Sequence, residues 1–109
     1  MNVLTTAQIE FYEEQGYLLL EQFISEAWLD RLNRAIDEFI ERSRHIDEST
    51  SDILVEPGHS RENPRLRRIP LTVLFHPEFE EFGLRGPIVD LAEDLLGPSV
   101  RFHHSKLIF

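Results

Sequence analysis

Between Ser25 and Arg44 the sequence sets Leu29, Leu32, Ile36, Phe39 and Ile40 at helical spacing. That is one apolar stripe along an otherwise charged segment, and a helix of this kind must bury its stripe against something. A chain of 109 residues offers one small domain in which to do so. Ser25 is a ready N-cap and Glu26 stands at the positive end of the helix dipole, so a helix is predicted over about residues 26–44. Eight Phe, two Tyr and one Trp within a hydrophobic content of 41% can furnish the rest of a core. Chains this short bury only about 60–68% of their unfolded surface, so stability is modest. The absence of cysteine excludes a disulfide framework, a Cys-ligated zinc or iron–sulfur site and a thiol nucleophile.

Other elements follow from local chemistry. Thr5-Thr6-Ala7-Gln8 reads as a capping box opening a helix over about 6–15, with Gly16 as its stop. Tyr17-Leu18-Leu19-Leu20 is a short apolar run, read as a buried strand over 17–20. From Asp47 to Pro64 the sequence turns polar, predicting a loop over 47–64. Arg61, Arg65, Arg67 and Arg68 follow as a basic patch, which either solvates a face beside nearby acids or binds an anionic ligand. Pro70 to Phe75 is ambiguous. His76-Pro77 opens a short helix over about 77–82. Gly86-Pro87 opens another over about 87–96, with Ile88, Leu91, Leu95 and Leu96 as its stripe and Gly97-Pro98 as its end. No linker or repeat divides the chain, so residues 1–109 read as a single partial domain.

Charge narrows the partners. Residues 1–56 carry 4 basic and 13 acidic residues (net −9), whereas 57–109 carry 7 of each (net 0). An acidic chain lacks the many Lys/Arg–phosphate contacts of nonspecific nucleic-acid binding. No apolar run reaches the ~18–20 residues of a membrane span, and Met1 to Glu10 shows no leader pattern. A cytoplasmic protein is the expectation.

Residues 100–109 read as a strand, with Val100, Phe102, His104, Lys106 and Ile108 on one face and Arg101, His103, Ser105, Leu107 and Phe109 on the other. Leu107-Ile108-Phe109 puts an apolar strand at the C-terminal limit of the sequence, which therefore reads as cut off, its exposed strand inviting self-association. His104 and Lys106 share a face and together can grip a carboxylate, Lys as a point charge and His as a hydrogen-bond donor; a plain surface role is the alternative. His45-Ile46-Asp47 matches the His-x-Asp element of a 2-His-1-carboxylate iron site, with His103 or His104 as third ligand. Such a pair needs a rigid strand, however, and His45 falls where an acidic helix frays. Adjacent strand residues also face opposite ways, so His103 and His104 cannot readily share a metal. No Gly-rich phosphate loop and no Gly-x-Ser-x-Gly element is present.

The order of segments resembles a known family. Leu4 to Leu20 followed by Phe23-Ile24-Ser25 is similar to the opening of the phytanoyl-CoA dioxygenase family, and Leu29-Asp30-Arg31-Leu32 to its long first-domain helix. Leu91 to Leu107, running Leu-Ala-Glu-Asp-Leu-Leu-Gly-Pro-Ser-Val-Arg-Phe-His-His-Ser-Lys-Leu, is similar to the family's helix and the strand leading into its central barrel. The likeness covers nearly the whole chain, with the 47–64 loop least matched.

The resemblance implies an α+β chain: the mainly helical N-terminal part of a double-stranded β-helix (jelly-roll) oxygenase, with the jelly roll mostly missing. It implies Fe(II)- and 2-oxoglutarate-dependent hydroxylation of a small-molecule substrate. The family's His-x-Asp pair follows this last strand, and its distal His and 2-oxoglutarate-binding Arg lie later still. His45 and Asp47 are thus not the implied ligands, and the chain by itself is expected to be inactive and to hold neither iron nor 2-oxoglutarate stably. On the pocket face of the final strand, family members contact 2-oxoglutarate or substrate, which maps to His104 and Lys106 as cofactor-binding residues. Ile108 departs from the Asn often found there, and it offers no hydrogen bond to a carboxylate. Two other classes remain: a small acidic helical interaction or dimerisation module using the Leu29–Ile40 stripe, and an unusual metalloprotein using His45, Asp47 and a later His.

Overall fold

Thr5 starts the first helix by a reciprocal cap. Its hydroxyl accepts from the Gln8 N–H at 3.1 Å, and the Gln8 side chain accepts from the Thr5 N–H at 2.9 Å. This and all that follows come from a computed structural model that describes residues 3–109, so the first two residues of the predicted domain lie outside the described ones. Helix α1 (Thr6–Gln15) ends at Gly16, whose φ of 79° is left-handed and costs glycine nothing. Helix α2 (Glu26–Ser43) starts where the Ser25 hydroxyl accepts from the Trp28 N–H at 3.2 Å.

The remaining elements are β1 (Leu54–Val55), β2 (Leu66–Pro70), α3 (Thr72–Phe75), α4 (Pro77–Arg85), α5 (Pro87–Leu96) and β3 (Lys106–Ile108). The strands form one antiparallel sheet in the order β1-β2-β3. The described chain is α+β.

The core joins α2 to this sheet. Phe39, Ile53, Val55, Leu66 and Ile69 are buried together, with Ile40, Ile46, Phe75, Phe79 and Leu107 packed around them. Of the apolar stripe of α2, Phe39 is fully buried and Ile40 packs against the core, whereas Leu29 is 47% exposed; beside it Trp28 meets Phe82 of α4 edge-on at 5.2 Å. Arg31 stacks over Trp28 at 3.9 Å and pairs with Glu78 of α4 at 2.6 Å. Helices α1 and α5 contribute no buried side chain. The radius of gyration is accordingly 17.0 Å, against about 13 Å for a compact domain of this length.

Four expectations need correction. Residues 17–20 belong to no strand, and Tyr17 and Leu19 are 61% and 75% exposed. A strand exists only through a ladder partner, and the sheet pairs other segments. The polar stretch 47–64 is not wholly loop, since it contains β1. Its Ile53 and Val55 are 2% and 8% exposed, and Ser49 and Thr50 hydroxyls hold their N–H groups at 3.0 and 3.2 Å. The helix that begins at Pro77 runs to Arg85, beyond residue 82. The C-terminal strand spans only Lys106–Ile108 rather than 100–109, because β2 offers ladder partners only from Pro70 back to Arg68. Among the described residues, no helix is long and apolar enough to cross a membrane.

Candidate functional site: the open face of the sheet

The register of the sheet decides which charges share a face. Ile69 pairs with Leu107, and both turn towards the core. Arg68 pairs with Ile108, and Pro70 with Lys106, so these four occupy the opposite face. Arg68 owes this position to an irregularity. Leu54 pairs with Arg68 but Val55 with Leu66, so Arg67 is an extra residue, a β-bulge. Leu66 and Ile69 are thus both buried while Arg67 and Arg68 are both exposed. Strict alternation from Leu66 would have turned Arg68 inwards.

The cations on this face are not equally occupied. Arg67 donates from Nε to Glu56 at 3.2 Å. Arg68 and Lys106 have no ion-pair partner among the described residues. Exposed Ile108 and half-buried Leu54 and Pro70 lie between and beside them as apolar ground.

His104 lies two residues before β3, outside the ladder, and its ring meets that of His103 edge-on at 4.7 Å. The pleat that was expected to separate these neighbours is absent there. Ser105 fixes the approach to β3: its carbonyl accepts from the Leu71 N–H at 2.9 Å, and its side-chain oxygen accepts from the Val73 N–H at 3.0 Å and lies 3.1 Å from the Thr72 hydroxyl. Lys106 is therefore held by backbone on both sides, whereas His104 is exposed and held by neither. His103 instead lines an apolar cleft of about 470 Å³ with Leu84, Ile88, Ala92, Leu96 and Phe102.

The Fe(II) implied by the resemblance does not fit the donors present. His45 and Asp47 stand exposed just past the end of α2. Among the described residues, no three His, Cys, Asp or Glu side chains are grouped to hold a metal ion. The anionic 2-oxoglutarate fits better: among the described residues Lys106 and Arg68 are cations without an ion-pair partner on one face of the sheet, the donor chemistry a carboxylate requires. Arg85 on α4 is raised above its usual pKa, first by its hydrogen bond to Glu81 and then by the charges of Glu81 and Glu80. It is a solvated surface pair.

Sequence reading missed Arg68 as part of this face, because a bulge leaves no residue signature of its own. Its basic cluster was visible, but not which of its arginines would remain unpaired.

No curated protein matches the chain. The family model for phytanoyl-CoA dioxygenase (PhyH), whose members depend on Fe(II) and 2-oxoglutarate and act on small molecules, matches residues 12–109. A match over that span takes in α2, the whole sheet and the segment bearing His104 and Lys106, and so this chain belongs to the phytanoyl-CoA dioxygenase family.

Proposed function

We propose that the chain is the N-terminal part of a phytanoyl-CoA-dioxygenase-like hydroxylase, and that the open face of its sheet is the first wall of a jelly-roll pocket. Lys106 there pairs with one carboxylate of 2-oxoglutarate, and His104, two residues earlier, adds a hydrogen bond. The observation that carries this reading is an unpaired Lys106 on an open, backbone-held sheet face in a chain matched to the family over residues 12–109. When bound, Fe(II) and 2-oxoglutarate together supply the oxidising power for hydroxylation. This chain's own part is to hold the anion.

Among the described residues no converging ligand set is brought to iron, and the chain taken alone is predicted not to turn over. The test is succinate production from 2-oxoglutarate by the purified chain with Fe(II), ascorbate and O₂. No succinate above a protein-free control is expected; protein-dependent succinate that vanishes on chelation would refute it. Among the described residues β3 pairs only with β2, and we assign self-association to its other edge. Sedimentation velocity should then show a concentration-dependent dimer that Ile108→Lys converts to monomer.

A further inference from the structure

We infer that the outward face of α1, with residues 17–19 beside it, is a docking surface for a basic amphipathic helix of a partner protein. The inference is independent of the reading of Lys106 given above.

The surface is apolar and held in place. Phe11 and Tyr17 meet edge-on at 5.4 Å. With Ala7, Gln8, Leu18 and Leu19 they line an open cleft of about 430 Å³, and Phe11, Tyr17 and Leu19 are all exposed. Contiguous apolar ground rimmed by polar residues marks an interaction site. Another side of α1 is anchored to α5. Tyr12 lines a second cleft with Ile88 and Leu91, and the Val3 and Leu4 N–H groups donate to the Asp94 carboxylate at 2.5 and 2.8 Å.

Charge decides what fits the open side. Residues 1–30 hold six acids (Glu10, Glu13, Glu14, Glu21, Glu26 and Asp30) and no Lys, Arg or His. Glu10 and Glu14 stand three and seven residues after Ala7, on the α1 face that bears Ala7 and Phe11. Among the described residues, Glu10, Glu14 and Glu21 have no ion-pair partner. Unneutralised acids repel phosphate, so neither nucleic acid nor an anionic membrane suits this face. A second copy docked face to face would set the same acids against each other. A helix with apolar residues at i, i+3, i+4 and i+7, flanked by Lys or Arg, meets both the apolar cleft and its acidic rim. The 10 residues of α1 run about 15 Å, enough to seat such a stripe.

The probe is a fluorescein-labelled peptide of leucine and lysine, about 18 residues patterned as one amphipathic helix. It is titrated with the full chain at low ionic strength and read by anisotropy, with a glutamate-for-lysine peptide as control. Saturable binding of the lysine peptide is expected, and none of the glutamate peptide. Leu19→Ser should weaken binding about tenfold, whereas Leu74→Ser, similarly exposed on α3, should change nothing. Glu10→Lys combined with Glu14→Lys should abolish binding of the lysine peptide and bring in the glutamate peptide. Far-UV circular dichroism of each variant reports folding separately. No saturable binding, equal binding of the glutamate peptide, or binding indifferent to Leu19→Ser and to the charge reversal each overturns the inference. A dimer that survives Ile108→Lys but is lost in Leu19→Ser also overturns it, since a second copy then covers the face. Flotation on phosphatidylglycerol vesicles that Leu19→Ser abolishes does the same, by making the occupant a membrane.

Discussion

The Nε2–H of His59 donates to the main-chain carbonyl of Ser43 at 2.8 Å. Ser43 is the fully buried last residue of α2, and its own hydroxyl donates to the Ile40 carbonyl at 2.6 Å. On the other side of the ring, the His59 Nδ1 accepts from the Arg65 N–H at 2.9 Å. One imidazole thus ties the end of α2 to the residue that leads into β2, and its proton is placed on Nε2 by these two partners.

Replacing His59 with Ala strips both bonds, leaving the Ser43 carbonyl with only the Ile46 N–H at 3.3 Å and the Arg65 N–H without its imidazole acceptor. The expected cost is about 1–3 kcal/mol, read as a lower urea midpoint. His59→Gln keeps a donor and an acceptor on the side chain and should recover part of the loss. An unchanged midpoint in the Ala variant would show that this tie does not hold the loop.

His76 is the corresponding tie between α2 and α4. Its Nδ1 caps α4 by accepting from the Glu78 N–H at 3.1 Å, its Nε2 meets the Glu38 carboxylate, and its ring lies 5.6 Å from Phe39 and 6.3 Å from Phe79. Glu38 is 64% exposed, so its hydrogen bond with the ring, open to water, contributes little; the cap and the ring packing dominate. His76→Asn, which keeps a strong N-cap, should therefore stand about 1 kcal/mol above His76→Ala in unfolding free energy. Wild type should exceed both, and equal Asn and Ala variants would remove the cap from the account.

At Gly86 the backbone would tolerate alanine, since φ is −82° and ψ −177°. The obstacle is steric: a Cβ there would stand 2.4 Å from the Phe82 carbonyl oxygen, which accepts the Gly86 N–H at 3.1 Å. Replacing glycine by alanine where the conformation is allowed ordinarily stabilises by about 0.4–1 kcal/mol. Gly86→Ala should instead destabilise by about 1–3 kcal/mol, because the junction of α4 and α5 must open. A raised melting temperature would contradict the close approach.

The elements whose ends are set by their own residues could be read directly. Thr5, Gln8 and Gly16 bound α1, Ser25 opens α2, and Pro87 and Gly97 bracket α5. The sheet was less legible, because its partners are far apart in the chain. Nothing local marks Leu54-Val55 as the neighbour of Leu66 and Arg68, and nothing local denies Tyr17–Leu20 a ladder. The family was legible in the order of its segments, and the match over residues 12–109 shows it. Lys106 could be named from residue type, but its diagonal relation to Arg68 required the bulge and the register.

The central claim is that the face bearing Arg68 and Lys106 holds the anionic co-substrate. It is tested most directly by following backbone amide NMR signals of the isotopically labelled chain during titration with 2-oxoglutarate. Saturable shifts centred on residues 68–70 and 104–108, smaller in Lys106→Met, are predicted. Shifts confined to the cleft of Leu84, Ile88 and His103, or saturable shifts unchanged by Lys106→Met, would contradict it.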